Sequence, residues 1–239
     1  MDIELDVNGL KVACHYEQED IEQIFMPLIE RWINLRQAKQ GRIFVFLAAP
    51  PACGKSTLAL FLECLSKGSI QALGMDGFHY PNAYLDTHTM KEGEREVPLR
   101  LRKGAPQTFD KDLLCRKIEA GKMYDNLWPS YSRKIHDPIE DQIKLTKSII
   151  LLEGNYLLLD TLGWQHVKDE ADDTVFIDTD PTVLRERLIE RKVKGGCSLA
   201  DAIAFYEESD AKNVELVLKH HHQANIHLYL REGRYFWLS

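Results

Sequence analysis

No apolar run in the chain approaches the length needed to cross a bilayer, and its start lacks the charge and hydropathy pattern of a signal segment. The five cysteines, Cys14, Cys53, Cys64, Cys115 and Cys197, are odd in number and contain no C-x-x-C pair. That spacing argues against a disulfide framework and for a reducing compartment. Positive charge is in deficit, since 30 Lys and Arg against 37 Asp and Glu leave a net charge of -7. No global basic field therefore draws the protein to nucleic acid or anionic lipid, and any affinity for phosphate has to be local. Internal repeats and low-complexity tracts are missing too. A cytoplasmic protein is the expectation, and 239 residues suffice for one large α/β domain, the reading preferred over two small ones.

What is present centres on Ala49-Pro50-Pro51-Ala52-Cys53-Gly54-Lys55-Ser56-Thr57. The preceding run Ile43 to Ala48 is unbroken and apolar, as in a parallel strand covered on both faces. Leu58, Leu60, Phe61, Leu62 and Leu65 continue at helical spacing. A strand, a tight loop and a helix with Gly-Lys-Ser at the turn form the context of a Walker A phosphate loop. Amides from Ala52 to Thr57 are expected to converge at the helix start, where unpaired donors and the helix dipole attract phosphate oxygens. Lys55 is then placed to reach the β- and γ-phosphates, and the Ser56 hydroxyl to sit on Mg²⁺. The pattern departs at its first glycine, which here is Ala49. Pro50 and Pro51 carry no N–H, so the cradle falls to the later amides.

Acids close two further strand candidates. Ile70 to Met75 leads into Asp76-Gly77-Phe78-His79-Tyr80-Pro81-Asn82. Ligands of open parallel sheets lie beyond the carboxyl ends of the strands, which sets Asp76 beside the cradle. A carboxylate there accepts a proton from an attacking hydroxyl or orients it; an aspartate capping the turn through Gly77 is the alternative. Ser148 to Leu152 ends in Glu153, a buried run followed by an acid, which is the Walker B arrangement for holding Mg²⁺. Thr174 to Asp178 precedes Pro181 at a helix start. On that helix Arg187 and Arg191 lie one turn apart, placed to fold over a triphosphate or, with Glu186 and Glu190 alongside, to form a solvated face.

The remaining stretches are less patterned. Ile3, Leu5 and Val7 and then Leu10, Val12 and Cys14 alternate around Asn8-Gly9, a hairpin signal, and a helix from Ile21 meets Pro27, which is expected to split or kink it. Thr87 to Pro106 is polar with few apolar anchors and reads as a long mobile connection, either a lid or a solvated insertion. Trp128 to Pro138 mixes aromatic, cationic and imidazole groups without periodicity. It suits a polar ligand pocket, with Tyr131 as a flat wall and Arg133 or His136 as donors, or an irregular surface hairpin. Lys219-His220-His221-His222 reads as a surface cluster, because consecutive helical side chains diverge. Contact with nucleic acid through Arg100, Arg102 and Lys103 runs against the acidic balance of the chain.

Together these motifs resemble the phosphoribulokinase/uridine kinase family of P-loop kinases. Ala49 to Thr57 is similar to the family's nucleotide loop. Asp76-Gly77-Phe78 with Tyr80-Pro81-Asn82, and Lys103-Gly104-x-Pro106 with Phe109-Asp110, resemble segments of bacterial pantothenate kinase. Tyr131 and His136 match the spacing of the aromatic and imidazole that face the nucleobase in uridine kinases, although Ser132 stands where those enzymes have Asp. Arg187 and Arg191 match the lid arginines.

The resemblance implies an α/β P-loop NTPase three-layer sandwich, with a mostly parallel five-stranded sheet, flanking helices and a lid at about 185–200. It makes 42–239 a kinase core and 1–41 an N-terminal β-hairpin and helix, within one domain over 1–239. ATP and Mg²⁺ are the implied cofactors. Ala49, Pro50, Pro51, Ala52, Cys53, Gly54, Lys55, Ser56, Thr57, Arg187 and Arg191 fall to the nucleotide, Ser56 and Glu153 to the metal. Asp76, Lys55 and Arg187 fall to catalysis, and Asp76, His79, Tyr80, Tyr131, Arg133 and His136 to the acceptor. The implied reaction moves the γ-phosphate to a hydroxyl of a nucleoside, pantothenate-like or sugar acceptor; a nucleotide-binding regulatory ATPase is the alternative. The expected partner is a small-molecule acceptor, with no nucleic acid, no membrane and room for a homodimer.

Overall fold

In the computed structural model, which describes residues 1–7 and 9–238, alternating apolar residues fold the start of the chain into an antiparallel hairpin of β1 (Asp2–Val7) and β2 (Leu10–His15). Asn8 of the expected Asn-Gly turn lies outside the described residues. One continuous helix follows, made of α1 (Gln18–Asp20), a π turn at Ile21–Phe25 and α2 (Met26–Ala38). Pro27 does not split it. The proline sits in the first turn of α2, and the widened π turn before it accommodates a ring that lacks an N–H.

The chain then enters β3 (Ile43–Ala48) and, through the glycine-lysine loop, α3 (Lys55–Leu65). Next come β4 (Ile70–Gly74), a 3₁₀ turn at Met75–Phe78, α4 (Asn82–Leu85), a hairpin of β5 (Thr89–Glu92) and β6 (Arg95–Pro98), and α5 (Lys111–Met123). A second hairpin, β7 (Leu127–Ser132) with β8 (Asp137–Lys144), precedes β9 (Ile149–Gly154) and β10 (Asp173–Thr179). The chain continues with α6 (Pro181–Lys194), α7 (Leu199–Phe205), a π turn at Tyr206–Asp210, α8 (Ala211–Lys219), β11 (Ile226–Arg231) and β12 (Arg234–Trp237).

Six strands form one sheet in the order β12-β11-β10-β3-β9-β4, parallel throughout except where β12 turns back on β11. The five parallel strands match the expectation, and β12 adds an antiparallel edge. Alternation along β3 sends Ile43, Val45 and Leu47 to the face covered by α2, α3 and α6, and Phe44 and Phe46 to the face covered by α5 and Trp128. Each such side chain contributes about 1.5–3 kcal/mol on burial, which anchors the middle of the sheet. The outer edge of β12 is closed rather than left open. The Tyr235 N–H donates to Asp20 Oδ2 at 3.1 Å, and Arg234 bonds Asp20 and Glu19, each at 2.8 Å.

One stretch differs from expectation, and a second takes one of the two forms weighed for it. Thr87 to Pro106, read as an unanchored connection, is instead a hairpin and 3₁₀ turns held by buried Leu99 and by Arg102, which donates twice to Glu92 at 2.6 and 2.9 Å. Its strands have four residues each, too short to print a period. Trp128 to Pro138 is a hairpin whose register shifts between Trp128 and Ser130. Pro129 has no N–H to give the ladder, so the alternation that would reveal a strand is broken there.

Candidate functional site

The loop between β3 and α3 turns through two left-handed residues, Ala52 at φ 64° and Gly54 at φ 94°. Gly54 takes that conformation without a steric penalty, whereas Ala52 holds about 1–2 kcal/mol of strain, a cost that tends to collect at functional turns. Ala49, in place of the usual first glycine, packs its methyl group into the core. Pro50 begins a turn in which the Cys53 N–H donates to the Pro50 carbonyl at 3.3 Å. The Cys53 amide is thereby engaged, and the free donors are those of the first turn of α3, which have no intrahelical acceptors. Burial pushes the Cys53 thiol up to about 12, so it is an inert packing group.

Lys55 and Ser56 meet Glu153 at the carboxyl end of β9. Glu153 is in register with Leu47 and shares the parity of Ile149 and Leu151, which aims it at the face covered by α3. The Ser56 hydroxyl donates to Glu153 Oε1 at 2.7 Å, and Lys55 Nζ stands 4.0 Å from Oε2. Glu153 is only 6% exposed. Burial raises its pKa above the ordinary value, opposed by Lys55, by the Ser56 bond and by Arg133, and reinforced by Asp76. A hydroxyl and a carboxylate side by side, with a lysine at hand, are hard oxygen donors suited to a Mg²⁺ ion that keeps waters and phosphate oxygens as its other ligands. Gly74 leaves room for this group, since a Cβ there would lie 3.3 Å from Glu153 Oε1.

Asp76 lies in the 3₁₀ turn just past β4, so β3, β9 and β4, three neighbours in the sheet, each deliver one part of the site. The turn is pressed against the β7–β8 hairpin: a Cβ on Gly77 would meet the Pro129 carbonyl oxygen at 2.4 Å. His79 packs against Phe109 with centroids 3.8 Å apart and the rings tilted by 39°, and its Nδ1 lies 2.9 Å from the Asp76 carbonyl. A carbonyl only accepts, so Nδ1 carries the proton and Nε2 is left as an acceptor. Burial first of all lowers the His79 pKa and keeps the ring neutral. Tyr131 lies 5.2 Å from His79, centroid to centroid; burial, then the field of Asp76, raise its pKa. Tyr80 stands beside it in sequence terms only, stacked instead on Tyr84 at 4.3 Å.

Arg187 and Arg191 reach the site from α6. Arg187 Nη1 donates to the Ala52 carbonyl at 3.4 Å, directly over the phosphate loop. Arg191, one turn on, is exposed to solvent; the surrounding protein, then Arg133, lower its pKa while Asp210 and Asp76 oppose them. His136 sits at the tip of the β7–β8 hairpin at φ 53°, its side chain exposed. Its carbonyl accepts from Lys103 Nζ at 2.6 Å and from Asn82 Nδ2 at 3.0 Å.

Sequence reasoning quoted Lys103 and Asn82 within motifs but gave neither them nor Asp137 a place in the acceptor wall, which the three lock together. Lys103 Nζ donates to Asn82 Oδ1 at 2.6 Å and lies 3.9 Å from Asp137 and 5.2 Å from the Tyr131 ring centroid. The Asn82 N–H donates to Asp137 Oδ1 at 2.8 Å. The signal available was Lys103 before Gly104, a glycine held at φ 104°, which marks a turn that aims its neighbours. Among the described residues no group of three or more His, Cys, Asp or Glu side chains is arranged as a metal cage, and no helix is long and apolar enough to cross a membrane.

A phosphate loop on the central strand, a strand-end carboxylate bonded to its serine and arginines leaning in from the next helix define a P-loop kinase fold. No family model matches the chain. It is 42% identical over 246 residues to Uncharacterized protein YggC of Escherichia coli (strain K12), with 100% of each chain covered. It is 32% identical over 223 residues to Putative uridine kinase C227.14 of Schizosaccharomyces pombe, covering 87% of this chain and 91% of that one. The crystal structure of a putative fructose transport system kinase from Silicibacter sp. TM1040 superposes with a TM-score of 0.76 at 26% identity, over 85% of this chain and 98% of that chain. The chain belongs to the phosphoribulokinase/uridine kinase family of P-loop kinases.

Proposed function

We propose that the protein is a phosphotransferase that passes the γ-phosphate of ATP to a hydroxyl of a small metabolite. The observation that carries this reading is the convergence of Lys55 and Ser56, Glu153 and Asp76 at the ends of three adjacent strands, with Ser56 already bonded to Glu153. The names of two relatives, a putative uridine kinase and a putative fructose transport system kinase, support a small-molecule acceptor.

In this reading the Lys55 ammonium and the first-turn amides of α3 hold the phosphates. Mg²⁺, held by Ser56 and Glu153, supplies neutralisation of phosphate charge when bound. Asp76 orients the acceptor hydroxyl and takes its proton, and Arg187 with Arg191 balances the charge that develops on the moving phosphoryl group. His79, Tyr80, Tyr131, Arg133 and His136 form the acceptor side, with Lys103 fixing the hairpin that carries three of them. Little covalent work falls to the chain, so placement and electrostatics supply most of the rate.

The test is a metabolite panel screened for ATP-dependent mass gain, followed by Asp76→Asn with the acceptor so found. The variant is expected to bind ATP normally and to lose about 10²–10⁴-fold in transfer. Full turnover would strip Asp76 of its role. ADP release with no phosphorylated product from any acceptor would favour a regulatory ATPase instead.

A further inference from the structure

The helix that runs through α7 and α8 is interrupted by one π turn at Tyr206–Asp210. Such turns insert one residue into a helix and recur at functional positions. Here the inserted turn ends on Asp210, whose Oδ2 is buried with no hydrogen-bond partner and whose side chain does not cap α8. Four titratable groups face it: Arg191 and Lys192 from α6, Tyr206 from its own helix, and Tyr156 from beyond β9.

Three of the four have contacts elsewhere, Tyr206 through its ring face alone. Lys192 Nζ lies 3.2 Å from the Phe205 ring centroid. The Tyr156 hydroxyl donates to the Gly104 carbonyl at 2.5 Å, and the Tyr206 ring lies under Arg185 at 5.5 Å. Arg191 makes no hydrogen bond or ion pair among the described residues, and it stands in the fields of both Asp210 and Asp76.

A buried carboxylate oxygen without a donor weakens a fold unless a working state supplies one. A guanidinium has two edges, each able to bond an anion. We propose that Asp210 is a positioning residue for Arg191: with nucleotide bound, one edge of the guanidinium bonds Asp210 Oδ2 and the other faces the phosphates beside Asp76. The inference rests on reading Arg191 as a nucleotide-facing arginine.

The first readout needs no ligand. Burial raises the Asp210 pKa above its ordinary 3.8, so ionisation costs stability at every pH above that value. Asp210→Asn is therefore expected to raise the Tm of the unliganded protein by about 2–4 °C near neutrality, a gain that vanishes as the pH falls to about 4. The second readout is the Kd for ATP with Mg²⁺ by calorimetry. Asp210→Asn is expected to weaken it about tenfold, as loss of one charge-assisted bond does, and Asp210→Glu to recover part of the loss. In an Arg191→Gln background Asp210→Asn should leave the Kd unchanged while still raising the Tm.

A lower Tm for Asp210→Asn makes the residue ordinary structural support and overturns the proposal. So do effects on Kd that multiply in the double variant, which leave the kinase reading standing because ATP is still bound. Wild-type protein that takes up no ATP overturns both.

Discussion

The proposed nucleotide end and the proposed acceptor end of the site are built by different means. Lys55, Ser56 and Glu153 come off β3 and β9, the buried centre of the sheet, and Lys55 and Ser56 both reach the Glu153 carboxylate. The acceptor end is made of a 3₁₀ turn, two hairpins and a four-residue helix, cross-braced by Lys103, Asn82 and Asp137. Rigid strands fix a chemistry that every substrate shares, whereas loops held by polar braces can be exchanged without disturbing the sheet. A fold divided in this way suits relatives whose names point to different acceptors, uridine and a fructose transport system.

The contrast can be broken most forcefully from the nucleotide side. Lys55→Ala is expected to lower transfer by about 10²–10³-fold for every acceptor alike, as removal of a single charge-stabilising donor does. A loss confined to one acceptor would erase the distinction between the two ends.

Gly77→Ala attacks the acceptor side. Its Cβ would overlap the Pro129 carbonyl, a backbone atom that cannot swing away, so the β7–β8 hairpin must shift. The expected result is a loss of about 1–3 kcal/mol in stability, as for other overpacked sites, and a raised acceptor KM with an unchanged ATP Kd. Chemical denaturation and steady-state kinetics read the two effects separately.

The smallest effect belongs to Glu92, remote from the chemistry. Arg102, through its hydrogen bonds, and then Lys212 hold this carboxyl down at about 2, against an ordinary 4.5. A depressed carboxylate adds stability above its unfolded value and loses it as the pH falls through the folded one. The pair is partly solvated, so Glu92→Gln should cost less than about 1 kcal/mol near neutrality. Denaturation at a series of pH values should show that gap closing between roughly pH 4.5 and 2.

The same contrast governs what could be read from the residues alone. The phosphate loop is contiguous, and each sheet acid directly follows an apolar run, so Lys55, Ser56, Glu153 and Asp76 announce themselves through local pattern. The apolar runs that become β3, β4, β9 and β10 are legible for the same reason, whereas their assembly into one five-stranded parallel sheet follows only from the family resemblance. The acceptor wall has no such signature. Lys103, Asn82 and the hairpin pair Tyr131 and Asp137 come from three separate stretches that only the tertiary fold gathers, and Pro129 breaks the alternation of the strand that carries Tyr131. Asp210 was illegible because a π turn changes which side of a helix a residue faces, and no periodicity in the sequence marks it.

The clasp between Asp20 and Arg234 bears on biosynthesis. A carboxylate that is 2% exposed in the finished protein waits for a guanidinium 214 positions downstream. While the chain is being translated, the helix carrying Asp20 must stay hydrated or docked only loosely. It can lock over the core only when β12 has left the ribosome, which makes the last strand the latch for one of the first helices.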